Sequence, residues 1–469
     1  MPPRGIPNQT PTERFSLYNE DMGPLGLFHA FSKTVGSLRD RFLPPKPGGQ
    51  EILLLAEALL SGQGEASDVA VARNFLAAYD ALTEEKKLFF LTILDQQFGP
   101  DQARLERALT KFQGQPTAQA AQEMREAAES RREVLFRRIN LSPGGTRGLL
   151  QMREDVLRNL PAVPELASVD ADFKHLFSSW FNRGFLVLRR IDWTTPANIL
   201  EKIIRHEAVH EIASWDDLRR RLEPADRRCF AFFHPTMQDE PLIFVQVALT
   251  SDVPVAIVPL LADNRNPIPP GKATFAVFYS ISNCQVGLKG ISLGDFLIKQ
   301  VVEDLKLEFP SLKTFITLSP VPGFLRWLTQ ERGKEASHYV TSGDKDVLAL
   351  LDTPDWHLEA NAANLLKPRL LSAVAAYLLA VRTESGKPID PVARFHLGNG
   401  ALLERIHWLS DPTPKGLRQA AGFMVNYLYE PDRIERNQES FATRGEIASS
   451  HAVRKYLRSD IQKRFPSPS

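Results

Sequence analysis

The sequence predicts an α+β protein, with a helical N-terminal region over residues 1–183 and an α/β region over residues 184–469. Two observations carry that prediction. Between about Val35 and Phe181, apolar residues recur at helical spacing and no convincing strand appears. From Gly184 onward, short runs rich in β-branched and aromatic residues alternate with helical stretches. Two domains also suit a chain of 469 residues, because one hydrophobic core rarely grows past about 250–300 residues.

The first 35 or so residues, rich in Pro, Gly and Asn, read as irregular. EILLLAEALLSG is a helix closed by Gly62, a residue of C-cap type. DVAVARNFLAAYDAL follows, with Val69, Ala72, Phe75, Leu76 and Tyr79 on one stripe. Thr83 is an N-cap, and Glu84 and Glu85 favour the first turn of KKLFFLTILDQQF. Further helices run through ARLERALTKF, AQAAQEMREAAESRREVLFRRI and TRGLLQMREDVLRNL. Nothing in this half looks chemical.

Past Gly184, FLVLRRIDW, RRCFAFFH, PLIFVQVALT and KATFAVFYSIS read as strands, bounded by Pro, Gly and Asp. NILEKIIRHEAVHEIASWDDLRRRL between them reads as helical. A glycine-bearing loop leads to the helix LGDFLIKQVVEDLKLEF, and TFITLSP is a strand ending at Ser319. KDVLALL, KPRLLSAVAAYLLAVR and PKGLRQAAGFMVNYLY read as helices.

Composition excludes several classes. Lys and Arg number 57 and Asp and Glu 56, so no global charge marks a nucleic-acid partner, and any anion site is local. Two cysteines, Cys229 and Cys284, form neither a disulfide scaffold nor a CxxC zinc pattern, which points to a reducing compartment. No uncharged apolar run of membrane-spanning length occurs, so no membrane partner is expected. The N-terminus reads as neither secretory signal nor transit peptide, and the terminal SPS is not a peroxisomal tripeptide. The cytoplasm is the expected location.

Four segments hold candidate chemistry. In FYSISNCQVGLKGISLGDFLIKQVV a strand runs into a loop that holds Gln285, Gly287, Lys289, Gly290, Ile291 and Ser292, and a helix begins at about Leu293, with Gly294 and Asp295 in its start. Glycines let backbone amides approach an anion, and a helix N-terminus adds partial positive charge, a combination suited to a pyrophosphate. The loop is neither a Walker loop nor GxGxxG; it resembles the coenzyme A loop of GNAT acyltransferases. An ordinary glycine-bearing turn is the competing reading. In TLSPVPGFLRWL, prolines stiffen the turn that presents Ser319, although a serine there also serves as a cap. His396 stands before a Gly-Asn-Gly loop, and Tyr429 lies in the apolar helix end MVNYLY; each alone is more often structural. Finally, His206-Glu207-Ala-Val-His210 matches HExxH, with both histidines on one helix face. A third ligand at a zincin spacing is missing, so the segment reads as a charged amphipathic helix and no metal is expected.

Taken in order, these segments resemble the malonyl-CoA decarboxylase family in its single-chain form. The resemblance rests on EAVH with WDDL at 207–218, EPLIFVQVALT at 240–250 and FYSISxxQxGLxGIxLGxFLIK at 278–299. It continues through LEFPSLKTFxTLSPVPGFxxWL at 307–328, FHLGNGAxxxRIxWxxD at 395–411 and GFMVNYLY at 422–429. It implies a helical domain followed by a GNAT-like catalytic domain, no cofactor, malonyl-CoA as substrate, and a homo-oligomer, dimer or tetramer. It also implies that Ser319 and His396 handle the proton, that Tyr429 lies near them, and that the segment from Lys289 to Asp295 holds coenzyme A. Animal members carry a glutamate where this chain has Ser292, so that role does not transfer.

The chemistry such a family performs needs no metal, because the thioester carbonyl is itself the electron sink. As carbon dioxide leaves, an enolate forms and must gain a proton at carbon. Donors preorganised at the oxyanion contribute roughly 10²–10³ each, and a positioned acid roughly 10²–10⁴. His396 is the natural proton donor, since imidazole titrates near neutral pH, with Ser319 bonding the substrate and pairing with His396 as acceptor or relay. An acyltransferase and a non-catalytic coenzyme A-binding regulator are the rival readings; neither requires LSPVPGF together with FHLGNGA.

Overall fold

The computed structural model describes residues 49–62, 64–291 and 293–464. The irregular opening segment, the start of the helical region at Val35, and Ser292 lie outside the described residues. The chain forms two compact units, residues 1–145 and 146–469. This division falls earlier than the 183/184 boundary read from the sequence, since the helical residues from 146 to 180 belong with the sheet.

The first unit holds α1 (Gly49–Ser61), α2 (Glu65–Asp80), α3 (Glu84–Gln97), α4 (Gln102–Gly114), α5 (Ala118–Ala128) and α6 (Arg131–Asn140). Gly62 follows α1 with φ +63°, and the Thr83 hydroxyl caps α3 by accepting from Lys86 N–H. Ala72, Phe75 and Tyr79 are buried, as their stripe predicts. The long segment read as one helix breaks at Ser130, whose side chain caps α6.

The second unit opens with α7 (Gly145–Asn159) and α8 (Ala167–Trp180) and then builds an eight-stranded mixed sheet. β1 (Val187–Ile191), β2 (Arg227–Phe233), β3 (Ile243–Thr250) and β4 (Phe275–Asn283) pair antiparallel in sequence order. β2 and β3 are buried almost throughout, so both faces of the sheet are covered. Helices α9 (Ala197–His206) and α10 (Trp215–Leu222) lay Ile199, Ile203, Leu218 and Leu222 against Cys229, Ala231 and Phe244. A short α11 (Ile257–Leu261) adds Ile257 and Leu260 to a second cluster around Val277 and Ile316.

After β4, helix α12 (Gly294–Glu308) crosses over to β5 (Thr314–Thr317), which pairs parallel with β4. That pairing ends at Phe278 and Thr317. Two features open the sheet there. A bulge leaves Tyr279 as the extra residue of β4 opposite Gln246 and Val247, and bulges bend the strand that carries them. The chain beyond β5 then forms β6 (Ser319–Pro320), which pairs with β8 rather than β4. The remaining elements are α13 (Phe324–Gly333), α14 (Ser342–Leu348), α15 (Ala360–Leu379), α16 (Pro391–Gly398), β7 (Leu402–His407), α17 (Pro414–Ala420), β8 (Met424–Tyr429), α18 (Ile434–Arg444), α19 (His451–Arg454) and α20 (Ser459–Arg464).

Two sequence expectations are corrected. MVNYLY is a strand, not a helix end: β8 pairs with β5, β6 and β7, and burial on both faces removed the alternation that marks a strand. The HEAVH segment is not one helix either, because α9 ends at His206. The Glu207 carboxylate turns inward instead, accepting from Ser280 Oγ at 2.7 Å and Gln246 Nε2 at 3.0 Å. It also accepts from the N–H groups of Val209 (2.8 Å) and His210 (3.0 Å), which fixes a turn where a helix would continue.

Candidate active site

Where β4 and β6 diverge, a cleft of about 320 Å³ opens, lined among others by Ser280, Ser319, Pro320, Phe395 and His396. Ser319 lies on the short strand β6, 5% exposed. Its Oγ donates to Thr317 Oγ1 at 2.8 Å and sits 3.2 Å from His396 Nε2. His396 Nδ1 is 2.8 Å from the Tyr429 hydroxyl. The structure thus brings together all three residues expected to carry the chemistry.

Ser319 directs its one hydroxyl proton at Thr317, an arrangement compatible with the tautomer in which His396 Nε2 carries its hydrogen toward Ser319 and Nδ1 accepts from Tyr429. Tyr429, His396, Ser319 and Thr317 form one connected chain of hydrogen bonds.

Burial alone pushes the His396 pKa from 6.5 down to about 3. The side chain is neutral at physiological pH, which corrects the expectation of an imidazole titrating near neutrality. Two tyrosines of β8 hold the ring. Tyr427 stacks on it, with centroids 4.6 Å apart and planes at 22°, and Tyr429 meets it edge-on at 6.1 Å. In a strand, residues two apart share a face, so β8 places Tyr427 and Tyr429 on the same side of His396.

The helix that presents His396 is short and strongly capped. Asp390, fully buried, accepts from Ala393 N–H at 2.8 Å, and Pro391 occupies the first turn. The Tyr377 hydroxyl donates to the other oxygen of Asp390 at 3.4 Å. Burial raises this carboxyl from 3.8 to about 6.

The expected coenzyme A residues are contiguous but serve different ends. Gln285 donates its side-chain amide to the Pro241 carbonyl at 3.2 Å. Gly287 packs against α7 so closely that a Cβ would lie 2.5 Å from the Leu150 carbonyl oxygen. Lys289 and Gly290 are exposed, and Gly290 has φ +81°, a value that favours glycine. Ile291 closes the turn by donating to the Leu288 carbonyl. Leu293 is buried at the N-cap of α12, and the backbone of Asp295 lies in its first turn. Gly294 makes room for Phe395, whose ring would lie 2.1 Å from an added Cβ. The loop is thereby packed against the residue next to His396.

The sequence reading missed Thr317, Tyr427 and Asp390. Thr317 stood two residues before Ser319 on a strand, and Asp390 preceded a proline in a cap pattern, so both left a signal. Tyr427 left none once its segment was read as helix. Among the described residues no group of three or more His, Cys, Asp or Glu side chains is arranged to hold a metal ion. No described helix is long and apolar enough to cross a membrane.

Known proteins resemble this chain along most of its length. The model of the malonyl-CoA decarboxylase C-terminal domain matches residues 184–466, and that of the N-terminal domain matches residues 98–181. The mitochondrial malonyl-CoA decarboxylase of Rattus norvegicus is 33% identical over 459 residues, 90% of each chain. That of Anser anser anser is 34% identical over 400 residues, 78% of this chain and 79% of its own. Crystal structures of malonyl-CoA decarboxylase from Rhodopseudomonas palustris and Agrobacterium vitis are 57% and 51% identical, each with a TM-score of 0.84. They cover 88% and 87% of this chain and 100% of their own.

Proposed function

The chain belongs to the malonyl-CoA decarboxylase family, and from that premise we propose that it converts malonyl-CoA into acetyl-CoA and carbon dioxide in the cleft beside Ser319. The observation that carries this reading is the buried chain of hydrogen bonds from Tyr429 through His396 to Ser319, ending at the cleft wall.

Cleavage of the carboxylate leaves its bonding pair on the α-carbon, delocalised into the thioester oxygen as an enolate. One proton must then reach that carbon. Ser319, which lines the cleft, delivers it by rotating its O–H from Thr317 to the substrate. As the serine gives up its proton, His396 Nε2–H replaces it, and the Tyr429 hydroxyl replaces the proton at Nδ1. The imidazole takes a proton at one nitrogen as it releases one at the other, so it never becomes the imidazolium that burial forbids. Once product leaves, a solvent proton entering the cleft at Ser319 drives the reverse shift, Ser319 to Nε2 and Nδ1 to Tyr429, which restores the starting tautomer, and one proton is consumed per turnover.

The diphosphate of coenzyme A is assigned to the loop from Gln285 to Asp295, at the positive end of α12. Gln285 and Gly287 build that loop, while Lys289 and Gly290 face solvent where a ligand can meet them. Two buried free thiols, Cys229 and Cys284, suit a reducing compartment, and the cytoplasm is the proposed location. Self-association is proposed on family likeness.

Incubating the purified protein with malonyl-CoA, and following acetyl-CoA and carbon dioxide, tests the proposal. Stoichiometric release of both is expected. Acyl transfer to an added amine without carbon dioxide would favour an acyltransferase, and binding without turnover a regulator.

A further inference from the structure

The loop that follows β4 is fastened by α7 in three ways. Gly287 approaches the Leu150 backbone too closely for any side chain. The Gly287 N–H donates to Glu154 Oε1 at 3.2 Å. The third tie is Arg153, whose side chain has no solvent exposure. Its Nη1 donates to the Gly287 carbonyl at 2.6 Å and its Nη2 to the Lys289 carbonyl at 2.8 Å. Its Nε is held by Asp170 at 2.9 Å, and Asp170 is itself held by Lys174 at 2.6 Å.

A guanidinium presents its donors in a rigid planar fork. Two carbonyls, two residues apart, are therefore oriented by one group. The consequence for the ligand side follows from peptide geometry. In a planar trans peptide the C=O and N–H point in opposite directions, so turning the Lys289 carbonyl onto Arg153 turns the Gly290 N–H away from it. The N–H groups of Gly287, Leu288, Lys289 and Ile291 are all taken by protein acceptors. That of Gly290 has no acceptor among the described residues, and Gly290 is exposed.

From this geometry we infer that Arg153 is a positioning residue for the diphosphate of coenzyme A: it holds the loop so that the Gly290 amide faces the anion. The inference rests on the assignment of the loop to coenzyme A made above. Arg153 touches no substrate; it acts through the two carbonyls, from a helix that lies outside the strand-and-loop framework of the cleft. An Arg153 variant should impair recognition of the diphosphate while leaving decarboxylation of the malonyl thioester intact.

The test compares two substrates, malonyl-CoA and malonyl-pantetheine, which share the reacting group, the second lacking the diphosphate together with the 3′-phosphoadenosine it carries. Arg153→Met removes the fork while Asp170 keeps Lys174 as partner. Arg153→Lys retains a cation that can reach one carbonyl but not both, and it decides the matter if the methionine variant fails to fold. For both variants kcat/KM for malonyl-CoA should fall about 10- to 100-fold, through KM, as expected for losing one hydrogen bond to a charged group. For malonyl-pantetheine it should change less than about threefold, since that substrate makes no such bond. Equal losses with both substrates, or no loss with either, would overturn the inference. A wild-type protein that does not prefer malonyl-CoA to malonyl-pantetheine would overturn the loop assignment itself.

Discussion

Lowering the pH from 7 to 5 should destabilise the wild-type protein by about 2 kcal/mol more than it destabilises His396→Asn. The magnitude follows from two equilibria. An unfolded histidine titrates near 6.5, whereas burial holds the folded His396 at about 3. Between those values the unfolded chain binds more protons than the folded one, so stability rises with pH in that window. The contribution is complete above the unfolded value, declines as the pH falls below about 6.5, and levels off below about 3. Integrated from pH 7 to 5, one such site contributes about 2 kcal/mol. His210, depressed to about 4 by burial, and Asp390, raised to about 6, are present in both proteins and cancel. Asparagine keeps an amide near Nδ1 for Tyr429, and loss of the Tyr427 stack lowers its stability at both pH values alike. Denaturant unfolding of the two proteins at pH 7 and pH 5 gives the difference of differences. Equal acid sensitivity would mean that His396 titrates normally and that the neutral relay is wrong.

Two further outcomes follow from the same geometry. Tyr429→Phe leaves His396 Nδ1 without its donor (2.8 Å in the wild type), so the protein should lose about 1–3 kcal/mol of stability. Its kcat should fall at least tenfold with KM little changed, measured by steady-state kinetics beside a melting curve. His206→Ala, and treatment of the wild type with EDTA, should both leave kcat unchanged. His206 ends α9, and Glu207 is bound to Ser280 and Gln246 rather than poised beside a metal. A stoichiometric zinc whose removal abolishes turnover would refute that reading.

How far the sequence foretold this arrangement depends on where each residue's partners lie. Strands β1 to β5 were legible because β-branched and aromatic runs stood between Pro and Gly boundaries. Caps such as Thr83 were legible because their acceptor and donor lie three residues apart. The turn at Glu207 was not, since its partners Gln246, Ser280 and Ser282 arrive from strands 39 to 75 residues away. Local helical preference ran through HEAVH unopposed. β8 was hidden for the opposite reason: Met424, Val425, Tyr427 and Tyr429 are buried on both faces, leaving no polar alternation to count. That error cost Tyr427, whose ring orients His396. That Ser319, His396 and Tyr429 lie together was legible through family resemblance. The protonation state of His396 was not, because it is set by burial, a property of the assembled fold. The role of Arg153 was equally invisible, since its two carbonyl partners lie more than 130 residues further along the chain.

The most direct test of the relay is the single-turnover rate of acetyl-CoA formation by wild type, Ser319→Ala, His396→Asn and the double variant, with melting temperatures taken on the same samples. If Ser319 and His396 act as one unit, each single variant should bind malonyl-CoA and lose roughly 10²–10⁴ in rate, and the double variant should be little worse than the worse single. A folded His396→Asn protein that turns over at the wild-type rate would contradict the account, as would losses that multiply in the double variant.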